Sequence, residues 1–202
     1  MNRPKNERID AKILPIRRIA GDPSELTDAT LLAGCVVEDP ATLGVLFDRY
    51  SDAVYHFLVH LTGRDSDEID DLVGTTFLEA CRAAKHFRGE STTRTWLLGI
   101  GVNVYRHHVR SSIRHRTLIT AYRREPQSQQ VPRPDHTAEH REMVERVREA
   151  ISRLPLELRE TFVLCEVEGL PGPEVARALN LPQGTVWRRL HEARQMLREV
   201  LP

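Results

Sequence analysis

Cysteine is scarce in this chain: Cys35, Cys81 and Cys165 are its whole supply, far apart, with no Cys-x-x-Cys and no Cys/His spacing suited to a metal. A disulfide framework and a zinc-held fold are therefore not expected, nor is any cofactor or metal. The N-terminal MNRPKNERIDAKILPIRR is charged and lacks the apolar segment of a secretory signal, so a reducing cytoplasm is the expected compartment. Long apolar runs are missing too. None approaches the roughly 20 residues of a membrane span, and no membrane insertion is expected. Aromatic residues make up only 5%, few for the pocket of a small-molecule sensor. Net charge is absent as well, with 29 basic and 29 acidic residues among 202.

That neutrality hides a separation. Residues 65–71, DSDEIDD, carry five acids and no base, whereas 94–124 carry seven arginines and no acid. An acid-free stretch of this length sets up a local positive potential, for which nucleic acid is the commonest ligand.

Apolar residues recur at three- and four-residue spacing, and strand-like alternation is nearly absent, which predicts an all-α protein. Thr27 or Asp28 is placed to cap a helix through LLAGCVVED. Pro40 opens the next, with Leu43, Leu46, Phe47, Tyr50, Val54, Phe57, Leu58 and Leu61 as its stripe, and Gly63 ends it. IDDLVGTTFLEACRAAKHF places Ile69, Leu72, Val73, Phe77 and Ala80 on one side. FRGEST is a polar break, and a helix resumes near Thr93. Further on, EPQSQQVPRPDHTAEH has the proline and glutamine content of a linker. The expected organisation is a disordered or contact-making arm at 1–24, a helical domain at 25–122, a flexible linker at 123–138 and a smaller helical domain at 139–202.

The most specific local signal is PEVARALNLPQGTVWRRLHEARQML. Pro173 starts a short helix with Val175, Ala176 and Leu179 inward, and Asn180–Gln183 is a break of helix-turn-helix length. Gly184–Thr185 then opens a second helix, where Thr185 is placed to cap or to touch a phosphate. Its seam is Val186, Leu190, Ala193 and Leu197; the other side presents Trp187, Arg188, His191, Gln195 and Arg198, with Glu192 and Arg194 at the margins. Such a face reaches base edges and phosphates in a major groove. In the first domain Asn103, Arg106, Arg110 and Arg114 share one face of a helix, while Trp96, Ile100 and Val104 form an apolar stripe. That arginine face suits a phosphate backbone, with affinity gained through counterion release.

Together these pieces resemble a family. LFDRYSDAVYHFLVHLTG, DDLVGTTFLEA, FRGEST-x-RTWL, Asn103 and LPLELRETFVLCEVEGL…EVARALNLPQGTVWRRLHEAR occur in the order found in extracytoplasmic-function (ECF) sigma factors of the sigma-70 superfamily. The resemblance implies a sigma region 2 helical bundle joined by a linker to a region 4 helix-turn-helix. It implies binding to core RNA polymerase (clamp helices and flap), promoter recognition, promoter melting and initiation, with an anti-sigma factor as a further partner. Asp70, Asp71, Leu72, Val73 and Phe77 match the segment that docks on the clamp helices. Arg88, Ser91, Thr92, Thr93, Arg94, Asn103, Arg106 and Arg110 fall in the segments that capture the −10 element. Thr185, Trp187, Arg188, His191, Glu192 and Gln195 fall in the reader of the −35 element.

Four positions in the first domain depart from the family pattern. Gly74-Thr75 stands where Gln-Glu is usual, Gly99 where arginine is frequent, and apolar Val102 where arginine is common. Trp187-Arg188 and the PGPE at 171–174 also differ from the usual residues. These changes are expected to weaken clamp, phosphate or base contacts and to make the −35 sequence unusual. Catalysis is not expected: HFLVH lacks the glutamate of a zinc-protease motif, and His107, His108 and His115 sit among cation-repelling arginines. Two other readings stand beside the sigma factor: a helix-turn-helix regulator, which leaves the arginine face idle, and a sigma-like interaction module that does not melt promoters.

Overall fold

The structure, a computed structural model, describes residues 25–63, 68–118 and 138–201, with side chains over 25–63, 68–112 and 142–201. The N-terminal arm, most of the linker, Asp65 and Asp67 of the acidic turn, and Arg123 and Arg124 lie outside the described residues, as do the side chains of Arg114, His115 and Arg116. Among those described there are eight α-helices and no strand: α1 (Asp28–Val36), α2 (Pro40–Thr62), α3 (Glu68–Ala83), α4 (Thr93–Leu118), α5 (Ala138–Arg153), α6 (Leu156–Phe162), α7 (Gly172–Leu179) and α8 (Gln183–Val200).

Helices α1–α4 pack as one bundle. Thr27, not Asp28, caps α1, its side chain accepting from the Thr30 amide. Asp28 is thereby left to α2: it accepts from Arg49 at 2.8 Å and from the Tyr50 hydroxyl at 2.5 Å. Asp39 caps α2 just ahead of Pro40, and Gly63 closes it at φ 76, in the left-handed region that favours glycine. Of the expected stripe, Leu46, Val54, Phe57, Leu58 and Leu61 are buried, joined by Thr42 and Val59. Phe47 is 40% exposed, at the rim, where its ring meets that of Phe77. The apolar side of α3 is buried as expected, and α4 crosses this base with Leu97, Leu98 and Val102 fully enclosed.

The Asp28 cluster makes a pH prediction. Burial alone would raise its carboxyl, but hydrogen bonds from Tyr50, Arg49 and Thr93 outweigh that and hold it below the usual range. In return, burial and the bond to Asp28 push Tyr50 up to about 12. Because the folded carboxyl is the stronger acid, its stabilising contribution is complete above its ordinary value of 3.8 and is lost as pH falls through the lowered one. Urea midpoints taken from about pH 5 down to pH 2 are expected to fall more steeply for wild type than for Asp28→Asn. Equal slopes would remove the cluster from the acid response.

Helices α5–α8 form the second bundle. Leu154, Leu158, Val163, Leu164, Val175, Leu179, Val186, Leu190, Ala193 and Leu197 make its interior. After α6 the chain widens into a single π turn, Val163–Val167, with the Glu168 amide donating to the Val163 carbonyl at 2.9 Å. Such turns cluster at functional sites because they re-aim the residues beyond them. Asn180 ends α7 in the left-handed region at φ 52, giving the sharp turn of the helix-turn-helix. Helix α8 starts at Gln183, earlier than Gly184–Thr185, and no side chain caps it. Thr185 is therefore inside the first turn, its amide bonded to the Pro182 carbonyl.

The two bundles touch. Arg159 of α6 donates to the carbonyls of Ser152, Leu154 and, across the boundary, Leu61 at the end of α2. Gly63 faces Ser152 so closely that a Cβ there would lie 2.5 Å from the serine Cβ.

Candidate nucleic-acid interface

Three surfaces carry the residues singled out in the sequence. On α3, Asp70 and Asp71 are exposed, with Thr75 and Leu78 beside them. Leu72, Val73 and Phe77, expected in the polymerase contact, point inward at 5%, 4% and 2% exposure. They hold the helix and leave the acids to the surface. Gly74 has open space around its Cα, so nothing in the packing requires a glycine there. Between α3 and α4 runs a groove of about 820 Å³ whose walls include Asp71, Thr75, Glu79, Asn103 and His107. Asp71 of the acidic helix and Asn103 of the arginine helix thus border one concavity.

The second surface is α4 with the loop before it. Arg88, Thr92, Asn103 and Arg110 are exposed, and Ser91 is half-buried. Thr93 is buried at 4% beneath the helix start, serving structure at that position. Thr92 caps the first turn: its hydroxyl accepts from the Thr95 amide at 3.1 Å. Val102 is fully buried, so its apolar character belongs to the core of the bundle.

Arg94 and Arg106 have partners the local sequence did not announce. Arg106 makes a two-pronged pair with Glu160, Nε to Oε1 at 2.8 Å and Nη2 to Oε2 at 2.5 Å, across 54 residues. Glu160 is wholly buried. Burial pushes its carboxyl above the usual range, and Arg106 pulls it back only in part. Arg94 pairs with Glu168, which also lies 3.7 Å from His60 Nδ1. The Thr95 hydroxyl donates to Glu174 at 2.8 Å. Gly99 lies against α7, where a Cβ would come 3.0 Å from the Ala178 carbonyl oxygen. Sequence reasoning missed Glu160, Glu168 and Glu174. Glu160 stands between Arg159 and Thr161 in LELRETF, where nothing in the local sequence marks it as buried.

The third surface is α8. Trp187, Arg188, His191 and Gln195 are exposed, Thr185 and Glu192 half-buried. Glu192 accepts from Arg188 at 2.7 Å, one helical turn away, which orients the guanidinium. Trp187 is half exposed, and its six-membered ring covers Gly172, where a Cβ would lie 2.7 Å from Cζ2. The two unusual features at 171–174 and 187 are therefore a single one: glycine makes room for the indole. Among the described residues no cluster of His, Cys, Asp or Glu is disposed to hold a metal, and no helix is long and apolar enough to cross a membrane.

Two family models match: sigma-70 region 2 over residues 46–125 and sigma-70 region 4 over 144–197. The α1–α4 bundle and the helix-turn-helix are thus the two modules of a sigma-70-type transcription initiation factor. The ECF RNA polymerase sigma factor SigM of Mycobacterium tuberculosis is 33% identical over 181 residues, spanning 90% of this chain and 88% of the relative. A solved structure of CnrH in complex with the cytosolic domain of CnrY is 26% identical, with a TM-score of 0.60, over 86% of this chain and 96% of that one. The sigma factor RpoE from Bartonella quintana, solved with the anti-sigma factor NepR, shares the fold at a TM-score of 0.64 and 21% identity, covering 77% and 93%. The chain belongs to the ECF RNA polymerase sigma factors, the family it resembled in sequence, whose members act with core polymerase in promoter recognition, melting and initiation. A free-standing helix-turn-helix regulator does not fit, because the match extends through the first bundle.

Proposed function

We propose that this sigma factor works through three separate contacts, divided between a first domain at 25–122 and a second at 139–202, the residues between serving as tether. Exposed Asp70 and Asp71 dock on the polymerase clamp helices, with Leu72, Val73 and Phe77 as the rigid base beneath them. Arg88, Ser91, Thr92, Arg94, Asn103, Arg106 and Arg110 engage the −10 element, Asn103 offering both donor and acceptor to an unstacked base. Thr185, Trp187, Arg188, His191 and Gln195 meet the −35 element, with Glu192 orienting Arg188, and the second domain contacts the polymerase flap. The chain acts by binding and positioning in the cytoplasm and breaks no bond itself. The sigma factor RpoE from Bartonella quintana was solved in complex with the anti-sigma factor NepR, and a comparable anti-sigma partner is proposed here. The observation carrying this reading is the partition of charge, acids outward on α3 and arginines on α4, within a chain of no net charge.

Titrating the labelled chain with core RNA polymerase at fixed salt tests the docking contact. Saturable binding is expected, weakened at least about tenfold by Asp71→Arg, since a like charge facing a complementary surface costs several kcal/mol. Circular dichroism should be unchanged, because Asp71 is exposed. A folded wild type that does not bind would sink the proposal. Binding without initiation on any promoter template would favour the interaction-module reading.

A further inference from the structure

We propose that Trp187 selects the upstream promoter element by packing its indole on the C5-methyl group of thymine, and that Gly172 aims the indole there. The inference rests on α8 as the −35 contact and names the chemistry by which that contact chooses its sequence. Helix α8 begins at Gln183, so Trp187 opens its second turn. That is the end of such a helix that reaches base edges in a major groove.

Trp187 is 50% exposed. Exposure of one apolar side chain needs no explanation by itself. This one is held in place: a Cβ on Gly172 would stand 2.7 Å from Cζ2, 3.0 Å from Cη2 and 3.2 Å from Cε2. One edge of the six-membered ring therefore lies on the start of α7, at a backbone position that glycine leaves bare, while half of the residue stays open to water. A side chain already held in one arrangement has little freedom to lose on binding.

The charged neighbours are less ready. Arg188 is bonded to Glu192 at 2.7 Å, Arg189 to Glu157 at 2.8 Å and Arg194 to Glu166 at 2.5 Å. Each must release a carboxylate before it meets a phosphate or a guanine, whereas the indole releases only water. Arg198 stands about three turns further along the helix. Exposed Arg188 and His191 flank the indole, a polar rim suited to DNA rather than to an apolar protein surface. Among the groups that base edges present in the major groove, the thymine methyl is the apolar one. An apolar ring fixed at the leading end of α8 therefore prefers thymine.

The full chain, assembled with core RNA polymerase, is used to select duplexes randomised in their upstream segment. Thymidines of a selected duplex are then replaced one at a time by deoxyuridine, which removes the methyl group and keeps every hydrogen-bonding group of the base. At one or two positions this should weaken wild-type binding about fourfold, the effect of losing one buried methyl group. Trp187→Ala should bind the thymidine and deoxyuridine duplexes equally. Gly172→Ala displaces the indole and should lose most of the discrimination, with circular dichroism unchanged. Wild-type binding indifferent to every replacement would overturn the proposal, as would an undiminished methyl preference in Trp187→Ala. A chain that binds core polymerase yet selects no upstream sequence would remove the −35 reading and this inference with it. A selected sequence without methyl dependence would remove this inference alone.

Discussion

Phe57→Ala is expected to cost the first domain about 3–5 kcal/mol, enough to unfold much of it at physiological temperature. Phe57 is fully buried between helices, its ring edge 3.5 Å from where a Cβ of Gly101 would stand on α4, with Thr76 of α3 just beyond. Three helices therefore close on one aromatic ring, and deleting it leaves a cavity that they cannot all collapse into. The functional consequence comes from position. Arg94, Asn103 and Arg106 ride on α4, and loosening its seat moves the whole face. Denaturation followed by Trp96 fluorescence in a Trp187→Phe background isolates this domain, since the two tryptophans lie in different bundles. Phe47→Ala is the control: 40% exposed, it should cost well under half as much. Equal losses would mean that Phe57 is not the centre of the packing.

Val186→Asp should be as severe for the second domain. Val186 is wholly buried in the seam of α8, and a carboxylate there is taken out of water into the bundle's interior. A buried unpaired charge belongs among the few mechanisms that exceed about 4 kcal/mol. The expected result is loss of the second domain's denaturation transition and of duplex DNA binding, with the first domain's transition retained. Thr185→Ala, one residue earlier and half-buried, should leave the fold unchanged, because the structure gives its side chain no capping bond. Survival of a cooperative transition in Val186→Asp would place the seam elsewhere on the helix.

Much of the architecture was legible because it is set locally. Apolar periodicity marked the helices, Pro40 and Gly63 marked the limits of α2, and Asn180 marked the turn before α8, although that turn ends at Pro182 and Gln183 already belongs to the helix. The ambiguities were those where two residues suit one role. Thr27 and Asp28 are equally good caps in sequence, and the choice was made by Arg49 and Tyr50, which draw Asp28 away. Leu72, Val73 and Phe77 were assigned to a contact surface through family position, though their own apolar character had already marked them as interior. Val102 was similar: the departure from arginine stands at a wholly enclosed position.

The sequence by itself determined the all-helical class, the two-module organisation, the helix-turn-helix and the arginine face, since each rests on spacing within about twenty residues. Only the tertiary structure decided what that face touches. The partners of Arg94, Thr95 and Arg106 lie 74, 79 and 54 residues away, on helices whose local pattern gives no sign of where they will pack. A carboxylate's location relative to a distant arginine depends on how two bundles meet, and that depends on shape, on the space left by Gly63, Gly99 and Ala178. Charge can be counted along a chain; which charges meet is settled by packing.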